Sequence, residues 1–209
     1  MIWHACDVGI SPRQFEELKK RVSGAKRSAD PVFQTHFSAA PAKHQVILGI
    51  DPSLRGTGFG IIRLARPAPE LLAQGTIKCA PALERSRCLV KIVQELRQAI
   101  VRHQPTVCVI EALFYAQNLQ TALLMGEARG ASLLAAAEAG LEIFEVAPRK
   151  VKQAIVGYGA AQKTAVAKMV QRMLRLPQPP APDAADALAL ALTHAQENSG
   201  FSLTPPKRI

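Results

Sequence analysis

Apolar positions along the chain fall into two patterns. Short unbroken apolar runs at 46–50 (Val-Ile-Leu-Gly-Ile) and 107–110 (Val-Cys-Val-Ile) lack polar alternation, as expected of strands covered on both faces. Further strands are expected at 59–64, 72–79 and 141–146. Gly56, Gly58 and Gly60 read as punctuation of a tight turn leading into the second strand. Helical periodicity covers 82–103, where Pro105 stops it, then an Ala- and Leu-rich stretch at 119–139, then 149–156 and 162–175. The break Leu-Pro-Gln-Pro-Pro-Ala-Pro precedes a last helix at 183–195. Three strands, a helix, a strand, a helix, a strand and then helices predict an α/β domain: a mixed five-stranded sheet flanked by helices.

Residues 1–44 read differently. Ser11-Pro12 suits a helix start and Gly24 a helix end, and Ser-Ala-Asp-Pro and Ala-Ala-Pro-Ala-Lys beyond it suit a flexible linker. Seven basic and four acidic residues make this stretch a basic N-terminal extension with a net charge of +3. The expected organisation is therefore an extension over 1–44, a domain over 45–196 and a tail over 197–209. No internal repeat is visible.

Composition narrows the class. With 48% hydrophobic residues, a substantial core is possible and wholesale disorder is excluded. No apolar run approaches the ~20 residues that span a bilayer, and the first residues lack the pattern of a secretory signal. The expectation is a soluble, cytoplasmic protein. Cys6, Cys79, Cys88 and Cys108 show no metal-site or redox-pair spacing, and Cys108 lies within an apolar run as a small core residue.

Charge narrows it further. The whole chain carries +10, which by itself says only that polyanions are attracted. Between positions 146 and 182 stand seven basic residues, among them Arg149, Lys152 and Lys163, and no acid. An ordinary solvated helix face would mix both signs, so an acid-free stretch favours phosphate contact.

The acids are placed where burial disfavours them. Asp51 directly follows Ile-Leu-Gly-Ile, and Glu111 directly follows Val-Cys-Val-Ile. Ligands of open α/β sheets gather outside the carboxyl ends of strands, which points to a site; a strand-end acid can equally cap a turn or pair with a base. Asp183 and Asp186 lie three apart at the start of an apolar helix and so share one face. An N-terminal cap accounts for one aspartate more easily than for two. Four gathered carboxylates would raise one another's pKa values, a cost that divalent cations relieve. Oxygen ligands without His or Cys suit magnesium, with manganese as a substitute, and two such ions can act together on a phosphodiester.

These residues lie in runs that resemble one family. Ile47-Leu-Gly-Ile-Asp-Pro-Ser, Gly56-Thr-Gly-Phe-Gly-Ile-Ile-Arg63, Val109-Ile-Glu-Ala-Leu-Phe114, Gly126-Glu-Ala-Arg-Gly130, Val151-Lys-Gln-Ala-Ile-Val-Gly157 and Asp183-Ala-Ala-Asp-Ala-Leu-Ala189 are similar to RuvC, the bacterial Holliday junction resolvase, in order and spacing. The likeness spans about residues 45–196. It implies a ribonuclease H-like fold, a homodimer, and magnesium-dependent nicking of two opposed strands of a four-way junction in recombination and repair. It also implies the RuvA and RuvB branch-migration proteins as partners. On that likeness Asp51, Glu111, Asp183 and Asp186 are the catalytic metal ligands, with two ions per subunit. Phe114 would stack on an unpaired base, and Lys152 and Lys163 would contact phosphate; Arg149 is expected to contact DNA as part of the acid-free basic stretch. Two departures stand out: Pro-Ser-Leu-Arg follows Asp51 where many relatives have Pro-Gly-Ser-Arg, and residues 1–44 have no counterpart.

Overall fold

The apolar run at 46–50 becomes the interior of a sheet. In the computed structural model, which describes residues 44–112, 119–199 and 207–209, β1 (Val46–Asp51) lies between β2 (Gly56–Arg63) and β4 (Val107–Glu111). Beyond β2 lies β3 (Glu70–Lys78); beyond β4 lie β5 (Glu142–Val146) and β6 (Lys207–Arg208), giving the order β3-β2-β1-β4-β5-β6. Strands β1, β4 and β5 run parallel, while β2, β3 and β6 pair antiparallel with their neighbours.

The period-2 geometry of a strand divides each apolar run between two cores. Leu48, Ile50, Cys108 and Ile110 face α1 (Arg85–His103) and α2 (Leu119–Glu138). Ile47, Val107 and Val109 face α3 (Pro148–Val156), α4 (Lys163–Met173) and α5 (Pro182–Ser199). Each fully buried Ile or Leu contributes about 2 kcal/mol, and β1 and β4 are buried on both faces, which is why their sequences show no alternation. Cys108 is buried as expected, and Cys79, Cys88 and Cys108 are free thiols. Among the described residues, no helix is long and apolar enough to cross a membrane.

Three expectations are corrected. Among the described residues the sheet has six strands where five were expected, and the sixth lies in the stretch read as a tail. Strand β6 has only two residues, too few for any periodicity. Main-chain pairing with β5, Ile209 N donating to Ile143 O (3.0 Å), and ion pairs from Arg208 to Glu142 (3.2 Å) and Lys207 to Glu145 (3.7 Å) hold it. The last helix also runs past the expected boundary, to Ser199.

The third correction concerns the glycines. Gly56, Gly58 and Gly60 lie inside β2, not in a turn. The turn is at 52–55, closed by Thr57 Oγ1 donating to Ser53 O (2.6 Å). The glycines serve close approach: a Cβ on Gly58 would stand 2.0 Å from Asp183 O, and one on Gly49 of β1 would stand 2.0 Å from Ala187 O. Helix α5 thus lies directly on the backbones of β1 and β2, bringing Ala187 and Ala191 against Gly49 and Asp183 against Gly58.

At the other end of β1, away from Asp51, a buried aromatic cluster joins His44, Phe144 and His194, with the two imidazoles 5.5 Å apart between centroids. His194 is 1% exposed, and neither ring nitrogen has a hydrogen-bond partner among the described residues. Burial, and then the neighbouring His44, lowers its pKa to about 4. In the unfolded chain it ionises near 6.5, so between those values the unfolded state binds more protons and folding stability falls as pH drops. Relative to His194→Phe, the wild type should lose about 3 kcal/mol of unfolding free energy as pH falls through that window. Urea unfolding of both proteins across the window checks this; a pH-independent difference would refute it.

Candidate active site

The strand register sets two acids side by side. Ile50 of β1 pairs with Ile110 of β4, so the next residues, Asp51 and Glu111, end adjacent parallel strands at one level. Ile50 and Ile110 face α1 and α2, so by alternation Asp51 and Glu111 point to the opposite face, the one α5 covers. Helix α5 begins there: Asp183 lies in its first turn, and Asp186 follows on the same face. Pro182, at the helix start, lacks an N–H that would have gone unpaired there. All four carboxylates line one cavity of about 510 Å³, together with Lys152, Lys163 and Ser53.

The cavity is a place of strong electrostatic conflict. Burial, then the charge of Asp51, pushes Glu111 up to about 8, and the two carboxyls interact directly across the strand ends. Burial, then the charge of Asp186, also raises Asp51 above the ordinary carboxylate range. Lys163, the first residue of α4, supplies positive charge: its Nζ donates to Asp186 Oδ2 at 2.7 Å. That bond holds the ammonium protonated above its usual range. Among the described residues, no three Asp, Glu, His or Cys side chains are set to grip one ion between them.

The remaining expected residues divide. Lys152 and Lys163 reach the cavity. Arg149 packs its side chain over Gly159, where a Cβ would stand 2.6 Å from Arg149 Cγ. Phe114 lies outside the described residues. One residue escaped the sequence reading: Arg129, buried in α2 and bonded to the main chain of Glu111. The signals for it were a lone arginine in an Ala- and Leu-rich helix and its place in the run Gly126-Glu-Ala-Arg-Gly130.

The family model for the crossover junction endodeoxyribonuclease RuvC matches residues 47–194, most of the chain and all four carboxylates. The chain belongs to the RuvC family. Its relatives are named as endodeoxyribonucleases, so this is an enzyme family acting on phosphodiester bonds of DNA. RuvC of Chromohalobacter salexigens is 43% identical over 163 residues, covering 78% of this chain and 87% of that protein. RuvC of Halorhodospira halophila is 46% identical over 153 residues, 73% of this chain and 91% of its own length. Among solved structures, Thermus thermophilus RuvC in complex with a Holliday junction substrate superposes with a TM-score of 0.72 at 34% identity, covering 79% of this chain and 100% of that one. The yeast mitochondrial resolvase Ydc2, at 10% identity and a TM-score of 0.52, shares the fold alone. The architecture is accordingly ribonuclease H-like.

Proposed function

We propose that this RuvC-family protein resolves four-way DNA junctions by magnesium-dependent nicking, with Asp51, Glu111, Asp183 and Asp186 as metal ligands. The observation that carries this reading is the convergence of four carboxylates from β1, β4 and α5 on one cavity that Lys152 and Lys163 also line. The donor set fits magnesium. Magnesium is usually held by one or two carboxylates plus water and substrate phosphate, and the cavity offers carboxylate oxygens without His or Cys in its lining. Manganese, with the same preference for oxygen, would substitute. A bound pair of cations would supply an activated water and charge stabilisation at the leaving oxygen.

This chain's own groups do the rest. Burial and repulsion among the carboxylates raise both Glu111 and Asp51, and a bound cation would offset that repulsion. Lys163 now satisfies Asp186 and stands where it can reach a phosphate oxygen. Lys152, and Arg149 beyond the cavity, extend positive charge along the acid-free α3 and α4. Paired nicks on opposed strands need two such cavities, and a homodimer supplies them. Val90 and Leu134, exposed on α1 and α2, offer apolar surface for that pairing.

A synthetic four-way junction and a linear duplex of the same sequence, each incubated with the protein and Mg2+, test the reading. Paired, ligatable nicks ending in 5′-phosphate are expected in the junction alone. Equal cutting of the linear duplex would overturn junction selectivity, and cutting that persists in EDTA would overturn the metal site.

A further inference from the structure

A charged residue in the interior needs partners, and Arg129 has two that belong to different strands. It is 6% exposed, in a helix whose neighbouring buried positions are Ala128, Ala131 and Ser132. One guanidinium nitrogen, Nη1, donates to the main-chain oxygen of Glu111 at 2.6 Å. The other, Nη2, donates to Glu145 Oε1 at 2.6 Å. Glu145 lies on β5 opposite Ile110, so the arginine spans the carboxyl ends of β4 and β5.

Glu111 is the residue at which β4 ends. Main-chain pairing to β5 continues for one bond more, Ala112 N to Val146 O at 2.9 Å. The direction in which the Glu111 carboxyl projects is set by its own backbone, and that backbone is held from the α2 side by Arg129. Binding α2 to the sheet would not by itself require an arginine, since alanines and leucines do so along the rest of the helix. A buried guanidinium is costly unless its fork is satisfied, so its retention at this point is better explained by what it fixes.

We infer that Arg129, held by Glu145, is a positioning residue that fixes the Glu111 end of β4, and so sets the cation affinity of the acidic cavity. The inference rests on the functional reading above. Lysine at 129 keeps the charge but cannot fork to both acceptors. Gln at 145 weakens the ion pair yet still accepts from Nη2, leaving the bond to Glu111 O in place. Arg129→Lys and Glu145→Gln should therefore lose comparable stability but differ in metal binding.

The experiment measures Mn2+ binding to the free protein by electron paramagnetic resonance, the Mg2+ concentration for half-maximal junction cleavage, and urea unfolding. Arg129→Lys should weaken Mn2+ binding and raise the Mg2+ requirement roughly 10- to 100-fold, the range for residues that orient a metal ligand. Glu145→Gln should stay near the wild type in both. If Arg129→Lys binds Mn2+ as the wild type does, or if both variants lose binding in proportion to their stability, the positioning role is wrong. A wild type that neither binds Mn2+ nor cuts junctions would overturn the functional reading and this inference with it.

Discussion

Asp51→Asn is expected to reduce junction cleavage by roughly a hundred- to a thousandfold, about 3–4 kcal/mol in the barrier, while junction binding persists. The substitution keeps the side chain's size and removes its charge at the point where the central strand ends beside Glu111 and faces α5. An amide there is a far poorer ligand for a hard cation than a carboxylate. DNA binding should survive because Lys152 and Lys163 are untouched. The same variant should unfold at higher denaturant when divalent cations are absent. Burial and the Asp186 charge raise the Asp51 pKa, so above the unfolded value of 3.8 the folded protein is penalised for ionising it. The penalty grows as pH rises through the folded pKa and is then constant, so the gain should be present at neutral pH and vanish in acid. Gel-shift, cleavage and urea unfolding on one preparation check all three statements. Full cutting by Asp51→Asn would remove this residue from the site, and unchanged stability would mean its charge is not strained.

Gly58→Ala is expected to cost at least about 3 kcal/mol of stability and to impair cleavage as well. The added Cβ would meet Asp183 O at 2.0 Å and Asp183 C at 2.5 Å. Both are backbone atoms, so no side-chain rotation relieves the clash and the start of α5 must move off β2. That movement carries the Asp183 carboxylate away from Asp51, and displacements of about 1 Å at a reacting site can cost a hundredfold in rate. Gly126→Ala is the control. Among the described residues nothing lies within 4 Å of its Cβ position in α2, and replacing glycine inside a helix should stabilise by up to about 1 kcal/mol. Should Gly58→Ala prove as stable as the wild type, α5 does not lie on the β2 backbone as described.

The sheet and its two cores were largely legible in the sequence. An apolar run without alternation can only be a strand covered on both faces or a buried helix, and four or five residues between polar boundaries decide for the strand. For the same reason the acids stood out: Asp51 follows four buried residues of β1, and Glu111 follows four of β4. The pairing of Asp183 with Asp186 followed from helical spacing. These are local signals, set within a turn of helix or a few residues of strand.

What stayed hidden depended on partners distant in the chain. The glycines of β2 resembled a turn because glycine serves both a turn and a close approach, and only the packing of α5, over 120 residues later, distinguishes them. The short strand β6 is made by main-chain bonds to β5 and two ion pairs, which leave no periodic trace. Lys163 was legible as a base but not as the partner of Asp186, 23 positions away. Arg129 was legible as a member of the run Gly126-Glu-Ala-Arg-Gly130 but not as a tie between strands, since its acceptors lie on β4 and β5. The sequence by itself determined which residues are buried and which acids resist burial, because hydrophobicity and period act over short range. The tertiary structure decided how those acids are brought within reach of one another and what holds them, because the register of β1 with β4 and the seat of α5 are long-range facts.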